Sequence, residues 1–86
     1  MQWLVYILRC GDDTLYTGIT DDLERRLEMH RAGKGAKYTR GRSPLTLVYR
    51  EEVESYSAAL KREYRIKQLS RAEKLMLIES NKTAVE

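Results

Sequence analysis

Residues 3–19 carry the clearest structural signal in this chain, and they read WLVYILRCGDDTLYTGI. Residues 3–9 are apolar, aromatic and β-branched, which is typical of a buried strand. The Gly-Asp-Asp sequence at 11–13 has turn chemistry, and residues 14–19 return to the strand pattern. The stretch therefore predicts a β-hairpin with a loop of about four residues.

A helix and a basic loop are expected after the hairpin. Thr20 is the predicted N-cap, and Asp21 and Asp22 place negative charge in the first turn, where the helix dipole favours it. The helix would end at Gly33, because glycine is common just past a helix C-terminus. Residues 33–43 hold three glycines and four basic residues, so we predict a flexible basic loop there.

The second half of the chain predicts one more strand and two more helices. Residues 45–50 have the strand pattern. Ser55 or Ser57 can cap a second helix. The capping box at residues 70–73 starts a third helix, which is expected to end near Ser80.

The chain of 86 residues has the size of one domain. We predict an α+β domain over residues 1–80, followed by a frayed tail at 81–86. The element order ββαβαα gives a small three-stranded antiparallel sheet flanked by helices. With 42% hydrophobic and 34% charged residues, the composition is typical of a soluble globular protein and not of a membrane protein. The only cysteine, Cys10, excludes an internal disulfide and a thiolate metal cluster, and it fits a cytoplasmic protein.

The charge is basic overall and uneven along the chain. The net charge of +3 permits nucleic-acid binding without requiring it. Four basic residues fall in one stretch that contains no acid, and these are Lys34, Lys37, Arg40 and Arg42. The sequence therefore predicts one positive surface around the basic loop.

Helical periodicity puts ionisable residues on a face that should be apolar. In the first helix, Leu23, Leu27 and Met29 form one apolar stripe. Arg26 and His30 fall inside that stripe, one turn apart at i and i+4. Both side chains are therefore predicted to point towards the sheet.

The second helix repeats this feature. Its predicted apolar face comprises Tyr56, Ala59, Leu60, Tyr64 and Ile66. Glu63 lies in the middle of that face, with Lys67 close by. Burying an unpaired charge is costly, so such groups need a partner or a function. Two interpretations stay open: a functional site, or a buried Arg26–Glu63 ion pair with His30 as a hydrogen-bonded core residue.

Tyrosine usage favours the functional interpretation. The chain has six tyrosines and no phenylalanine, although a core prefers phenylalanine because each buried tyrosine hydroxyl needs a partner. Tyr6 and Tyr16 fall on the two strands of the hairpin, and Gly18 follows Tyr16. Glycine weakens a strand unless another group must approach its backbone closely. We therefore expect the two tyrosines to face the inward arginine, histidine and glutamate.

The order and spacing of these residues resemble the GIY-YIG nuclease superfamily. Leu-Val-Tyr at 4–6, followed after nine residues by Tyr-Thr-Gly at 16–18, resembles the paired motifs that name it. Residues 22–27, which read DLERRL, resemble the segment that carries its catalytic arginine, and Glu63 matches its metal-binding glutamate. The resemblance extends over nearly the whole chain and is closest to the small stand-alone bacterial members.

The resemblance implies metal-dependent hydrolysis of phosphodiester bonds in DNA. Glu63 would hold one Mg²⁺ or Mn²⁺, since a single inward carboxylate suits Mg²⁺. Tyr6 is the first choice to orient or deprotonate the attacking water, with Tyr16 next, and a neighbouring cation would have to lower the tyrosine pKa. Arg26 would stabilise charge on the scissile phosphate, and His30 would act as a base or proton shuttle.

The predicted DNA contacts come from the basic loop and one neighbouring lysine, namely Lys34, Lys37, Tyr38, Arg40, Arg42 and Lys67. Tyr38 would stack on a base or pack locally. Backbone contacts carry no sequence information, so cleavage is expected to be structure-directed or weakly sequence-specific, as in DNA repair or processing. RNA stays open as a substrate, and so does the presence of a protein partner or a homodimer.

Two other functions stay open. Leu75 stands at the spacing where several members of the family have an asparagine, so the chain is alternatively a catalytically silent nucleic-acid-binding domain that acts with a partner. The charged residues of the last two helices would also suit a protein-interaction module.

Overall fold

The computed structural model describes residues 2–85, with the side chains of residues 2–81. The strands are β1 (Trp3–Arg9), β2 (Leu15–Thr20) and β3 (Thr46–Val53). The helices are α1 (Leu23–Arg31), α2 (Tyr56–Lys67) and α3 (Arg71–Val85), and a short 3-10 helix spans Lys37–Thr39. The predicted order ββαβαα and the α+β class are confirmed.

The sheet is antiparallel and has the strand order β2-β1-β3. The central strand β1 is buried from Leu4 to Leu8. Because successive side chains of a strand point to opposite faces, Val5 and Ile7 face one layer while Tyr6 faces the other. Val5 and Ile7 belong to the apolar core, whose other buried members are Tyr49, Ala59, Ile66 and Ile78. Tyr6 faces α1, so β1 separates the core from a polar layer.

The starts of α1 and α2 follow capping chemistry. Asp22 is the N-cap of α1, because its carboxylate accepts a hydrogen bond from the Arg25 backbone N–H at 3.3 Å. The prediction of Thr20 at this position was wrong; its hydroxyl accepts from the Asp22 backbone N–H at 3.0 Å and so supports the cap. Ser55 caps α2 by accepting from the Ala58 backbone N–H at 3.0 Å.

The predicted capping box of α3 is confirmed. The Glu73 backbone N–H donates to the Ser70 hydroxyl at 3.2 Å, and the Ser70 backbone N–H donates to the Glu73 carboxylate at 2.9 Å. The helix continues through residue 85, beyond the end predicted near residue 80, so residues 81–85 of the predicted tail are helical. Glu86 lies outside the described residues, and the division into a domain and a tail stays a prediction. Within the described part, no helix is long and apolar enough to cross a membrane.

The apolar face predicted for α2 was wrong in part. Ala59 and Ile66 are buried as expected, with Glu63 between them. The other three predicted members are 40% to 66% exposed, and these are Tyr56, Leu60 and Tyr64. They form a neighbouring stripe, because a helix advances about 100° per residue and α2 turns the Ala59–Ile66 line towards the sheet.

Candidate active site

The hairpin brings two tyrosines together. Tyr6 on β1 and Tyr16 on β2 have ring centroids 6.3 Å apart. Gly18 pairs with Tyr6 across the ladder, and a Cβ at Gly18 would lie 2.6 Å from Tyr6 Oη and 3.0 Å from Tyr16 Cε2. The group that approaches the glycine backbone is therefore the Tyr6 side chain itself. Gly18 makes room for both rings.

Helix α1 supplies an arginine and a histidine to the same layer. His30 is only 2% exposed, and Arg26, one turn earlier, is half-buried. The Tyr6 hydroxyl and His30 Nε2 are hydrogen-bonded at 2.8 Å. The His30 ring meets the Tyr16 ring edge-on, with centroids 5.3 Å apart. The inward direction predicted for both α1 residues matches this geometry.

The second nitrogen of the histidine has a partner that the sequence did not indicate. His30 Nδ1 is hydrogen-bonded to the Thr39 hydroxyl at 2.9 Å, and Thr39 is itself buried. That hydroxyl also donates to the Ala36 carbonyl at 2.9 Å. Thr39 lies on the short 3-10 helix, and no periodicity or motif relates it to His30.

The arginine of α1 has hydrogen-bonding capacity that the protein leaves unused. Arg26 Nε is buried and has no hydrogen-bond partner among the described residues. The pKa of Arg26 is raised, chiefly by hydrogen bonding of its guanidinium to the Tyr6 oxygen. A buried donor without an acceptor is costly, and an anionic ligand would satisfy it.

The pKa of each aromatic partner is governed by burial. Burial raises the pKa of Tyr6 to about 12, although Arg26 acts in the opposite direction. The lowered tyrosine pKa expected from the sequence is therefore wrong, because loss of water outweighs the neighbouring cation. Burial also lowers the pKa of His30, and Arg26 adds to this. At neutral pH the tyrosine keeps its proton and the imidazole is uncharged.

Glu63 reaches the edge of this layer from α2. Its side chain is 20% exposed, and its Oε2 lies 3.3 Å from Lys67 Nζ. The negative charge of Glu63 contributes to the raised pKa of Tyr6. No ion pair joins Arg26 to Glu63 within residues 2–81, so the structural interpretation as a buried Arg26–Glu63 pair was wrong.

Two shallow cavities flank these residues. One of about 420 Å³ is lined by Thr20, Asp21, Asp22, Arg25, Arg26 and Met29. The other, of about 370 Å³, is lined by Leu15, Tyr16, Thr17, Tyr38, Lys67 and Lys74. The first exposes the arginine, and the second exposes Tyr16 together with two lysines. The first cavity also carries two carboxylates, so the second is the more positive of the two.

The donor set for a metal ion is small. Across the part of the chain whose side chains are described, no three His, Cys, Asp or Glu residues converge on one point. Glu63 is the carboxylate that α2 brings to the edge of the site, and it forms an ion pair with Lys67. One partly exposed carboxylate fits a hard cation such as Mg²⁺, which keeps most of its waters for substrate oxygens.

Two side chains of the basic loop pack against the site. The Tyr38 ring stacks on Tyr16 with centroids 5.8 Å apart, and the Arg42 guanidinium lies 4.5 Å over the Tyr38 ring. Arg42 also forms an ion pair with Asp12 of the hairpin turn. A Cβ at Gly35 would lie 2.3 Å from His30 Nδ1, so the loop backbone packs directly on the histidine.

The structure thus divides the predicted site residues into two groups. The residues that it brings together are Tyr6, Tyr16, Arg26, His30, Tyr38 and Arg42, with Glu63 and Lys67 at the edge. The loop residues that it leaves exposed are Lys34, Lys37 and Arg40. The second group forms the outer, solvent-facing side of the predicted positive surface.

Comparison with known proteins identifies a domain family. The family described as the GIY-YIG catalytic domain matches residues 2–76. A UPF0213 protein of Oceanobacillus iheyensis is 60% identical over 78 residues, which are 91% of this chain and 91% of that protein. A UPF0213 protein of Halobacterium salinarum is 60% identical over 70 residues, which are 81% of this chain and 91% of that protein.

Two solved structures share the fold. The solution NMR structure of a UPF0213 protein from Bacillus halodurans is 48% identical, with a TM-score of 0.60, over 92% of this chain and 84% of that one. The solution NMR structure of a protein from E. faecalis is 35% identical, with a TM-score of 0.67, over 100% of this chain and 90% of that one. These similarities confirm the resemblance found in the sequence.

Proposed function

Because the chain belongs to the GIY-YIG catalytic domain family, whose members are usually endonucleases, we propose that it is a metal-dependent DNA endonuclease. It hydrolyses phosphodiester bonds with structure-directed or weakly sequence-specific cleavage, and it serves DNA repair or processing in the cytoplasm. The observation that carries this proposal is the buried, unpaired Arg26 Nε beside the hydrogen-bonded Tyr6–His30 pair. A positive donor without an acceptor, next to a proton-transfer pair, suits a scissile phosphate and an attacking water.

Arg26 binds and stabilises the phosphate. Its guanidinium is always protonated and presents several donors, so it neutralises the charge that develops as the phosphorus becomes pentacovalent. The substrate phosphate also provides the acceptor that Arg26 Nε lacks. Binding therefore removes an energetic penalty of the unbound protein.

Tyr6 and His30 move the proton of the attacking water. With a pKa of about 12, Tyr6 is a poor base alone, but it can accept the proton of water while passing its own to His30 Nε2. The hydroxide then attacks phosphorus, the bond to the leaving oxygen breaks, and His30 holds the proton. Arg26 disfavours this imidazolium in the unbound protein, and a bound phosphate offsets that charge.

Glu63 would hold the metal ion, for which Mg²⁺ or Mn²⁺ suits a single carboxylate. When bound, such an ion polarises the phosphate and stabilises charge on the leaving oxygen. Lys67 orients the Glu63 carboxylate through their contact of 3.3 Å. The same lysine lines the cavity beside Tyr16, where it can also contact a substrate phosphate.

The basic loop would grip the DNA backbone through its exposed side chains, Lys34, Lys37 and Arg40. Arg42 and Tyr38 have a different role in this proposal. Because Arg42 is committed to Asp12 and to the Tyr38 ring, and Tyr38 stacks on Tyr16, these two residues hold the loop against the site. Backbone contacts without base readout favour recognition of DNA shape.

The test compares wild type with Glu63→Gln and with the matched control Glu54→Gln, which removes the same charge from an exposed position. Substrates are supercoiled plasmid and flapped, branched and single-stranded DNA and RNA oligonucleotides, with Mg²⁺, Mn²⁺ or EDTA. We expect metal-dependent DNA cutting, a loss of roughly a hundredfold or more in Glu63→Gln, and no change in Glu54→Gln.

Three other results would contradict this expectation. Tight DNA binding without cutting by the wild type would favour the catalytically silent binding domain. Cutting of RNA but not of DNA would make RNA the substrate in place of DNA. A melting temperature several degrees lower in Glu63→Gln than in Glu54→Gln would make Glu63 a structural residue.

A further inference from the structure

His30 is the only histidine of the chain, and both of its ring nitrogens have defined partners. Nε2 is 2.8 Å from the Tyr6 hydroxyl, and Nδ1 is 2.9 Å from the Thr39 hydroxyl. A neutral imidazole carries its proton on one nitrogen and accepts with the other. Which nitrogen carries it decides whether Tyr6 donates to the histidine or accepts from it.

The hydrogen bonds of Thr39 indicate this direction. A hydroxyl has a single proton to donate, and that of Thr39 is directed at the Ala36 carbonyl, 2.9 Å away. A carbonyl oxygen can only accept. In this arrangement the Thr39 oxygen accepts from His30, which puts the imidazole proton on Nδ1. The Nε2 lone pair is then left to accept the proton of Tyr6.

The opposite tautomer breaks the hydrogen bond from the Thr39 hydroxyl to Ala36, whose carbonyl would keep only the Thr39 backbone N–H at 3.0 Å. With the proton on Nε2, the Nδ1 lone pair would face the lone pairs of the Thr39 oxygen. Thr39 would have to turn its proton away from Ala36 to relieve this contact, and all of these atoms lie in a buried region where His30 and Thr39 are each 2% exposed. The opposite tautomer also has His30 Nε2 donating to the Tyr6 oxygen, which leaves the Tyr6 hydroxyl proton without an acceptor among the described residues. An unsatisfied polar group in such a place is disfavoured.

We propose that Thr39 is a positioning residue of the nuclease reaction, fixing His30 in the Nδ1–H tautomer so that Nε2 takes the proton from Tyr6. This proposal rests on the proposed function for its catalytic consequence, while the tautomer itself is a property of the folded protein. It also gives the basic loop a second role. The segment that would contact DNA carries the residue that orients the proton acceptor.

The first test is a spectroscopic one. Two-dimensional ¹H–¹⁵N spectra of the imidazole at neutral pH report a protonated and an unprotonated nitrogen separately, and the single histidine removes any ambiguity of assignment. We expect a protonated Nδ1 and an unprotonated Nε2 in the wild type. We expect Thr39→Val, which replaces the hydroxyl by a methyl group, to shift the population towards the Nε2–H form. Thr39→Ser keeps the hydroxyl and should restore the wild-type spectrum.

The second test measures cleavage by the same three proteins. Thr39→Val should lower kcat by about tenfold or more with little change in KM, and Thr39→Ser should recover most of the rate.

A wild type with its proton on Nε2, or a Thr39→Val protein with an unchanged tautomer, would overturn the proposal. Equal kcat values in Thr39→Val and Thr39→Ser, despite different tautomers, would overturn its catalytic part. A wild type that cuts nothing would refute the proposed function, while its spectrum would still decide the tautomer.

Discussion

Two tyrosines of the sheet, Tyr6 and Tyr49, are buried on opposite faces, and each lies near an arginine from a neighbouring helix. Burial raises the pKa of both hydroxyl groups. Arg26 of α1 interacts with Tyr6, and Arg62 of α2 interacts with Tyr49. The two clusters therefore contain similar groups in similar surroundings.

Their hydrogen bonds differ in one decisive respect. The Tyr49 hydroxyl donates to Glu51, and Arg62 Nε lies 3.1 Å from both carboxylate oxygens of Glu51, so the charges in this cluster are paired with one another. Arg26 has no carboxylate partner, and its Nε has no acceptor among the described residues. We therefore assign the arginine whose hydrogen bonds the protein does not complete to the proposed reaction, and the arginine whose hydrogen bonds it completes to stability.

The largest effect is expected from removing one hydroxyl from each cluster. Tyr6→Phe should lower the cleavage rate by about 10²-fold or more, because the water loses its proton acceptor. Tyr49→Phe should leave cleavage unchanged and lower the free energy of unfolding by about 1 kcal/mol, because Glu51 loses a donor. Single-turnover cleavage and urea unfolding of both variants test this. Equal cleavage by the two variants would remove the distinction between the clusters.

A smaller effect on cleavage and stability is expected from replacing the arginine of each cluster. Arg26→Met should reduce cleavage by roughly 10²-fold without lowering the melting temperature, because it removes an unsatisfied donor together with the phosphate contact. Arg62→Met should keep cleavage and cost about 1 kcal/mol of stability, a modest value because Arg62 and Glu51 are 35% and 29% exposed. Calorimetry beside the cleavage assay measures both. A destabilised Arg26→Met protein would make the first cluster structural like the second.

The smallest effect concerns the pH dependence of stability. Burial lowers the pKa of His30 below its ordinary value of 6.5. The imidazole therefore binds a proton more readily in the unfolded chain than in the folded one. The stability that the uncharged His30 contributes is complete above about pH 6.5, and it is lost as the pH falls through the lowered pKa of the folded state. The free energy of unfolding should therefore decrease as the pH falls below about 6.5, with a slope below ~1.4 kcal/mol per pH unit.

The matched variants for this measurement are His30→Gln and Tyr49→Phe, compared by urea unfolding across the same pH range. His30→Gln should flatten the profile. Tyr49→Phe should keep the wild-type slope, because a tyrosine with a raised pKa stays neutral throughout. A profile that keeps its slope in His30→Gln would assign the pH dependence to other groups.

The residues of the hairpin and α1 were predictable because regular elements fix where side chains point. Strand alternation and the 3.6-residue period are enough to turn Tyr6, Arg26 and His30 towards one another, and a glycine within a strand marks a close approach. Thr39 and Gly35 were not predictable, since they lie in a loop whose path depends on tertiary contacts with His30.

Two other features depend on quantities that the sequence does not contain. The apolar stripe of α2 was misplaced because Leu60 and Tyr64 lie near the buried line through Ala59, and only packing on the sheet decides between adjacent stripes. The sequence also failed to predict the direction in which the pKa of Tyr6 is shifted. Its sign results from a competition between burial and Arg26, and the sequence reveals the cation but not the depth of burial.

The pairing of Tyr6 with Gly18 also orders the substitutions that a descendant of this chain can accept. Any side chain at position 18 would meet the Tyr6 ring, so a mutation there requires the tyrosine to shift or to become smaller. Once a lineage has acquired a side chain at 18, tyrosine cannot return at position 6 without a second change. Position 18 therefore constrains position 6 more tightly than position 6 constrains position 18, because glycine accepts either a large or a small neighbour.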